Sequence, residues 1–375
     1  MNRLRYGLIG CGKFGRFCLE EYARLEELEC IAVADAHAPL AVETAERLGV
    51  SFSESPEALI ARTDIDIVHI ATPPGTHAEL ASAALNAGKH VLCEKPLALT
   101  MEDADRLADL AASKGLILAV NLIMRYNPLC GGVKQLVDHG LLGRPLFAQL
   151  VNCAQDETLP AAHWFWSPGQ SGGIFVEHGV HFFDLFEWWF GPGTVISADR
   201  LRRPPSGIVD QVRCSVQYGD QTLADFYHGF HQMHRRDEQH WRIVFETGTL
   251  EMKEWVPTSL TIDFDTDAAS AGQIQEYFPG SSVALLQHYE GRDREAASHG
   301  VTRTIDVKGR LTAAGGGPKM KLYGEMVRAL MKDQIMAIHD PHHHRRISEA
   351  NGVTSLRMAI RATDLAEHSE ALGNT

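Results

Sequence analysis

The chain has 375 residues, of which 45% are hydrophobic and 22% charged. That is the balance of a soluble globular protein, not a disordered or fibrous one, and the length calls for at least two domains. Its 35 Lys and Arg against 48 Asp and Glu leave a formal net charge of −13, which repels phosphate backbones and anionic lipid, so neither nucleic acid nor a membrane is expected as a partner.

Residues 5–9 read as a buried strand that runs into Gly10-Cys11-Gly12-Lys13-Phe14-Gly15 and then a helix over 16–25. A second apolar strand over 30–34 ends at Asp35, twenty residues after Gly15, the spacing of a βαβ unit. The alternation continues with helices over 39–48, 76–87 and 100–114 and strands over 65–71, 90–93 and 116–120. Strands this uniformly apolar, alternating with helices, predict a parallel sheet covered on both faces. After Asn121 the pattern changes. Helices are expected over 128–139 and 174–190, then strands over 210–218, 221–230, 241–245 and 249–255 joined by Tyr218-Gly219-Asp220 and Glu246-Thr247-Gly248, which read as antiparallel hairpins. Residues 265–318, rich in Gly, Ser, Ala and Asp, are expected to contain long loops, with closing helices over 319–331 and 348–367.

No run of about 18 apolar residues is present, so no membrane-spanning helix is expected. Met1-Asn2-Arg3-Leu4-Arg5 leaves no room for a secretory leader before the first strand, which predicts a cytoplasmic protein. The seven cysteines are scattered without a close pair, so neither a disulfide framework nor a zinc site is expected.

The glycine turn carries the first chemical signal. In such a turn the first glycine permits the bend, the second lets backbone approach a pyrophosphate, and the third lets helix and strand pack, while the helix N-terminus offers N–H groups to the phosphates. The motif alone is common; here it follows a strand, opens a helix and is answered by Asp35. Asp35 can accept both ribose hydroxyls and would repel a 2′-phosphate. No Arg or Lys follows it in Ala36-His37-Ala38-Pro39, which favours NAD over NADP. A solvated turn aspartate is the plain alternative.

Ala87-Gly88-Lys89-His90-Val91-Leu92-Cys93-Glu94-Lys95-Pro96-Leu97 resembles the Gly-Lys-His-Val…Glu-Lys-Pro signature of the glucose-fructose oxidoreductase / inositol dehydrogenase / MocA (Gfo/Idh/MocA) family. Thr72-Pro73-Pro74 with His77, Arg125-Tyr126-Asn127-Pro128, and Gly172-Gly173 through Glu177, His181 and Asp184 fall where that family places similar residues. The resemblance covers both halves of the chain except 265–318. It implies an α/β N-terminal Rossmann domain with a parallel sheet over 1–121, and an α+β C-terminal domain with a mainly antiparallel sheet over 122–375 that binds substrate and packs into homodimers or homotetramers. It further implies an NAD-dependent dehydrogenase of sugars, inositols and related polyols. The cofactor set is then Gly10, Gly12, Lys13, Phe14, Gly15, Asp35, Thr72, Pro73, His77, Glu94 and Lys95.

Lys95 lies just past the fourth predicted long strand, the edge where open α/β sheets bind ligands, and a cation there can stabilise developing alkoxide charge. A lone lysine is more often a solvated surface group; the flanking Glu94 and Pro96 argue for the functional reading. Helical spacing puts Glu177, His181 and Asp184 on one face at i, i+4 and i+7. His181 is the expected proton acceptor, Glu177 the group that orients it, and Asp184 and Arg125 the substrate ligands, although Arg125 also reads as structural. The family usually has Asp where Glu177 stands. An ordinary polar helix side is the plain alternative, set against the neighbouring Phe175, Phe182, Phe183 and Trp188. His178 reads as packing.

His163-Trp164-Phe165-Trp166 offers stacking faces for a sugar but is equally a core cluster, and receives no role. His228, His231 and His234 near Tyr227 would point to different strand faces, and His342-His343-His344 reads as a hydrated loop, so no metal is predicted. Two further functions stay open: transient oxidation for elimination or glycoside cleavage, and a non-catalytic NAD-sensing regulator. The expected substrate is an uncharged polyhydroxylated ring, since several carboxylates around one pocket accept hydroxyls and repel a sugar phosphate.

Overall fold

In the computed structural model, residues 3–373 are described except 157, 205, 234 and 299; Met1, Asn2 and His234 therefore lie outside the described residues. The first stretch runs β1 (Leu4–Ile9), α1 (Lys13–Tyr22), β2 (Leu28–Ala34), α2 (Ala38–Leu48), β3 (Ser51–Phe52), α3 (Pro56–Ile60), β4 (Ile67–Ile70), α4 (His77–Asn86), β5 (His90–Cys93), α5 (Met101–Lys114) and β6 (Leu118–Val120). Then come α6 (Pro128–His139), β7 (Pro145–Gln155), α7 (Pro168–Ser171), α8 (Val180–Phe190), β8 (Gly193–Arg203), β9 (Ile208–Tyr218), β10 (Thr222–Gln232), β11 (Glu238–Phe245), β12 (Gly248–Lys253) and β13 (Ser259–Thr266). The chain closes with α9 (Ala268–Glu276), β14 (Ser282–His288), β15 (Glu295–Ser298), β16 (Val301–Thr304), β17 (Val307–Ala314), α10 (Lys319–His339) and α11 (Glu349–Gly373).

Two compact units result: residues 1–123, 161–184 and 323–363 form the first, and 124–160, 185–322 and 364–375 the second. The first therefore takes in two segments from beyond the single 121/122 division expected from sequence. Its parallel sheet has the order β3-β2-β1-β4-β5-β6, the Rossmann arrangement. β4 is buried at every position and β1 over its last four, as a sheet with both faces covered requires. Local chemistry sets the helix ends. Thr100 caps α5 by accepting from the Asp103 N–H at 3.2 Å, and Gly115 stops it in the left-handed conformation at φ 64°.

The second unit is built on a nine-stranded sheet, ordered β14-β17-β13-β12-β11-β7-β10-β9-β8, antiparallel except for the β7–β10 pair. Aromatic packing fills its core: Phe186 lies 4.7 Å from Phe226 and 6.2 Å from Trp241, ring centre to ring centre, and the Trp189 indole donates to the Cys130 carbonyl at 3.1 Å. The α/β plus α+β expectation holds.

Residues 265–318 differ from expectation. They carry α9 and β14 to β17 where long loops were expected. β17 alternates buried Val307, Gly309, Leu311 and Ala313 with exposed neighbours, and small residues at two of the inward positions hide that alternation in the sequence. β7, β8 and β13 likewise go beyond the strands expected. Among the described residues no helix is long and apolar enough to cross a membrane. All seven cysteines are free thiols.

Candidate functional site

The parallel strands of the first unit all end on one edge, and the sequence places its chemistry there: Gly10 after β1, Asp35 after β2, Thr72 and Pro73 after β4, Glu94 and Lys95 after β5, and Asn121 after β6. The glycine turn matches the demands of a dinucleotide. Gly10 adopts φ 104°, and a Cβ there would strike the Ala71 carbonyl; a Cβ on Gly15 would strike the Gly10 carbonyl oxygen. Gly12 is different: nothing lies within 4 Å of the position its Cβ would take, so a side chain there would fill open space at the N-cap of α1, where a phosphate would approach. We expect Gly12→Leu to keep wild-type thermal stability while weakening NAD binding, and Gly15→Ala to lower the melting temperature; calorimetry with and without NAD separates the two.

Asp35 is fixed by its own turn, Oδ2 accepting from the Cys11 N–H at 2.7 Å and Oδ1 from the His37 N–H at 2.8 Å. Lys13 is exposed. Phe14 is half-buried and packs with its ring centre 5.8 Å from that of Tyr323 and 6.0 Å from that of Phe17. Thr72 is half-buried with its hydroxyl 2.7 Å from that of Thr76, and Pro73 is exposed. His77 is fully buried, and both its ring nitrogens are committed to main-chain carbonyls, Pro96 at 2.7 Å and Thr72 at 2.8 Å. Where a cofactor contact was expected, its two ring nitrogens tie the Thr72 loop to the turn at Pro96. Glu94 is also held from within: Asn121 donates to both its carboxylate oxygens at 2.8 and 3.0 Å, and His69 Nε2 lies 3.1 Å away. Sequence reasoning missed His69 and Asn121, each lone polar residues in or after an apolar strand. Cys18, His69 and Glu94 form a buried group whose ligand-type atoms lie within 4.8 Å of one another; the Glu94 carboxylate is satisfied within it, whereas His69 Nδ1 and Asn121 Oδ1 are buried without a hydrogen-bond partner among the described residues.

Residues 161–184 belong to the same unit and bring Glu177 to Lys95. Glu177 lies in a π-helical turn, Phe175–Gly179, that precedes α8. The wider turn interrupts the i, i+4, i+7 stripe expected from an unbroken α-helix, and such turns recur at functional sites. Lys95 Nζ donates to the Glu177 main-chain carbonyl at 2.7 Å and also pairs with the Glu177 carboxylate. Glu177, expected to orient His181, is therefore committed to Lys95. His181 and Asp184 are buried on α8. Burial first, then the Lys95 charge and the neighbouring His178, hold the His181 imidazole well below the ordinary histidine range, so it is neutral at pH 7. Burial and Lys95 likewise push His178 down to about 3.

Arg125 belongs to the second unit, where it is buried with its guanidinium 5.7 Å from the Trp188 ring, a cation–π contact. Phe165 is buried and stacks edge-on with half-buried Trp166 at 4.8 Å. On β10, Tyr227 Oη meets His231 Nε2 at 2.6 Å, while His228 is buried. His343 is pinned by Asp333 at 2.7 Å and is not merely hydrated.

A model of the oxidoreductase family with an NAD-binding Rossmann fold matches residues 4–122, and one of the GFO/IDH/MocA C-terminal domain matches 132–251. The rhizopine catabolism protein MocA of Rhizobium meliloti is 34% identical over 51% of this chain and 58% of its own length. The myo-inositol 2-dehydrogenase of Thermotoga maritima is 30% identical over 60% of this chain and 72% of its own length. Among solved structures, levoglucosan dehydrogenase in complex with NADH and levoglucosan superposes with a TM-score of 0.78 at 21% identity, covering 98% of both chains. The glycine turn, the Glu94-Lys95-Pro96 strand end and the matches to both domains agree: the chain belongs to the Gfo/Idh/MocA family of oxidoreductases, with an NAD-binding Rossmann domain.

Proposed function

We propose that the chain is an NAD-dependent dehydrogenase that moves a hydride between nicotinamide and a secondary alcohol of an inositol, a sugar or a glycoside. Residues 1–121 act as the dinucleotide-binding domain, and 122–375 bind substrate and assemble a homodimer or homotetramer in the cytoplasm. Relatives named for inositol and levoglucosan support the substrate class.

The observation that carries the reading is the state of Lys95. An ammonium has three protons; two are used on the carbonyl and carboxylate of Glu177, and the third remains for a substrate oxygen. Glu177 thus aims the lysine. His181, neutral at pH 7 through burial, accepts the hydroxyl proton as the alkoxide develops, and Lys95 donates to that oxygen and stabilises its charge. Asp184 acts as a ligand of the remaining hydroxyls. Gly10, Gly12, Gly15 and Asp35 would hold the cofactor, with Lys13, Phe14, Thr72, Pro73 and Glu94 beside them. When bound, the nicotinamide supplies the hydride acceptor.

The test is a screen of cyclitols, pyranoses and glycosides with NAD, following NADH absorbance together with product analysis. Oxidation of at least one neutral polyol is expected, and efficient turnover of sugar phosphates alone sinks the reading. Asp35 sets the cofactor preference: NAD is expected to bind more tightly than NADP, and Asp35→Ala to narrow the difference. Equal binding of both cofactors by the wild type would remove Asp35 from that role.

A further inference from the structure

We propose that His77 is a positioning residue whose imidazolium clasps the loop after β4 to the turn after β5, so that cofactor binding is coupled to the protonation of this one ring. The inference rests on the reading that these loops hold NAD. His77 opens α4, is fully buried, and sits between two main-chain carbonyls: Nδ1 lies 2.7 Å from the Pro96 oxygen and Nε2 2.8 Å from the Thr72 oxygen. A carbonyl has no proton to give. A neutral imidazole has one N–H, so it donates to one of these oxygens and turns a lone pair toward the other; only the imidazolium satisfies both.

The two acceptors are not equivalent parts of the protein. Thr72 begins the loop that carries Pro73, and Pro96 follows Lys95 directly, so the ring joins one stretch of the cofactor edge to the lysine that meets the substrate oxygen. Losing one bond frees one stretch relative to the other.

The charged groups that face His77 are Glu94 and Lys95, both on the turn after β5. Burial is the largest influence and opposes the charge. The bonds to Pro96 and Thr72 favour it, as does Glu94, while Lys95 opposes it. The positive end of the α4 dipole opposes it as well. The ring accordingly titrates below the ordinary histidine value. The clasp is complete on the acid side and loses one of its two bonds as pH rises through that titration. If the clasped loops are the ones that hold NAD, reciprocity requires that NAD raise the proton affinity of the ring, so that binding takes up protons.

Calorimetric titration of the whole protein with NAD, in two buffers of different ionisation enthalpy, counts those protons. The expected result is uptake of a fraction of a proton at about pH 6 that vanishes by about pH 8. It should be absent at both in His77→Gln, whose amide donates without titrating. His77→Leu removes both bonds and should weaken NAD binding about ten-fold or more. Proton uptake unchanged in His77→Gln overturns the proposal while leaving NAD binding intact. If the variants do not fold, nitrogen-15 spectra of the wild-type histidine rings decide the matter without cofactor. A buried ring that takes up its second proton on the acid side of the ordinary histidine value supports the clasp, and a ring that keeps a single proton over the whole pH range in which the protein stays folded overturns it. Failure of the wild type to bind NAD at any pH would instead overturn the proposed function.

Discussion

Lys95→Met should bind NAD nearly as well as the wild type and turn over substrate ~10²–10³-fold more slowly, the usual effect of removing one donor to a developing oxyanion. The structure gives two reasons for the split. The glycine turn and Asp35 are organised by Gly10, Gly15 and the backbone N–H groups of Cys11 and His37, none of which leans on the lysine. The Lys95 ammonium, in contrast, is held by the Glu177 carbonyl and carboxylate. Removing it takes away the oxygen donor and leaves the Glu177 carboxylate without its cation. Glu177→Gln should be milder than Lys95→Met, because the main-chain carbonyl still aims the lysine. A Lys95→Met enzyme with wild-type kcat and intact NAD binding would show that the pair is only structural.

His181→Ala should cost ~10²–10⁴-fold in kcat if proton transfer limits the rate, again with NAD binding retained. The pH dependence adds a sharper test. The active form is the neutral imidazole, and burial, Lys95 and His178 all lower its proton affinity. The wild-type kcat/KM should therefore stay level as pH falls through the ordinary histidine value and decline only well below it. The same depression has a stability consequence. The unfolded chain takes up protons on His178 and His181 at ordinary histidine values while the folded chain does not, so their contribution is fully present above about pH 6.5 and is lost as pH falls. His178→Leu should lessen that acid sensitivity in chemical denaturation at several pH values. An activity profile that breaks at the ordinary histidine value would contradict the buried, neutral base.

Much of the first unit was legible because its information is local. An apolar strand, Gly10 to Gly15, a helix, then Asp35 after the next strand is a pattern of short-range steric and hydrogen-bond demands, and the structure satisfies each where the sequence put it. The catalytic candidates were legible as residue types but not as partners. Period arithmetic assumes an unbroken α-helix; the structure instead has a π turn at Phe175–Gly179, and Glu177 pairs with Lys95, a residue distant in sequence, where a Glu177–His181 pairing was expected. His77 was visible only as a motif residue; that both its nitrogens meet carbonyls depends on two loops distant in sequence. In the second unit, β17 hid because Gly309 and Ala313 fill inward positions that a large apolar residue would have announced.

The most direct measurement follows the hydrogen itself. A neutral polyol found active with NAD is prepared with deuterium on its carbinol carbon, and the nicotinamide is recovered after a single turnover and analysed by mass. One deuterium per reduced nicotinamide, with slower conversion than the protiated substrate, is expected of a dehydrogenase at this site. Conversion with neither deuterium transfer nor any isotope effect would contradict it.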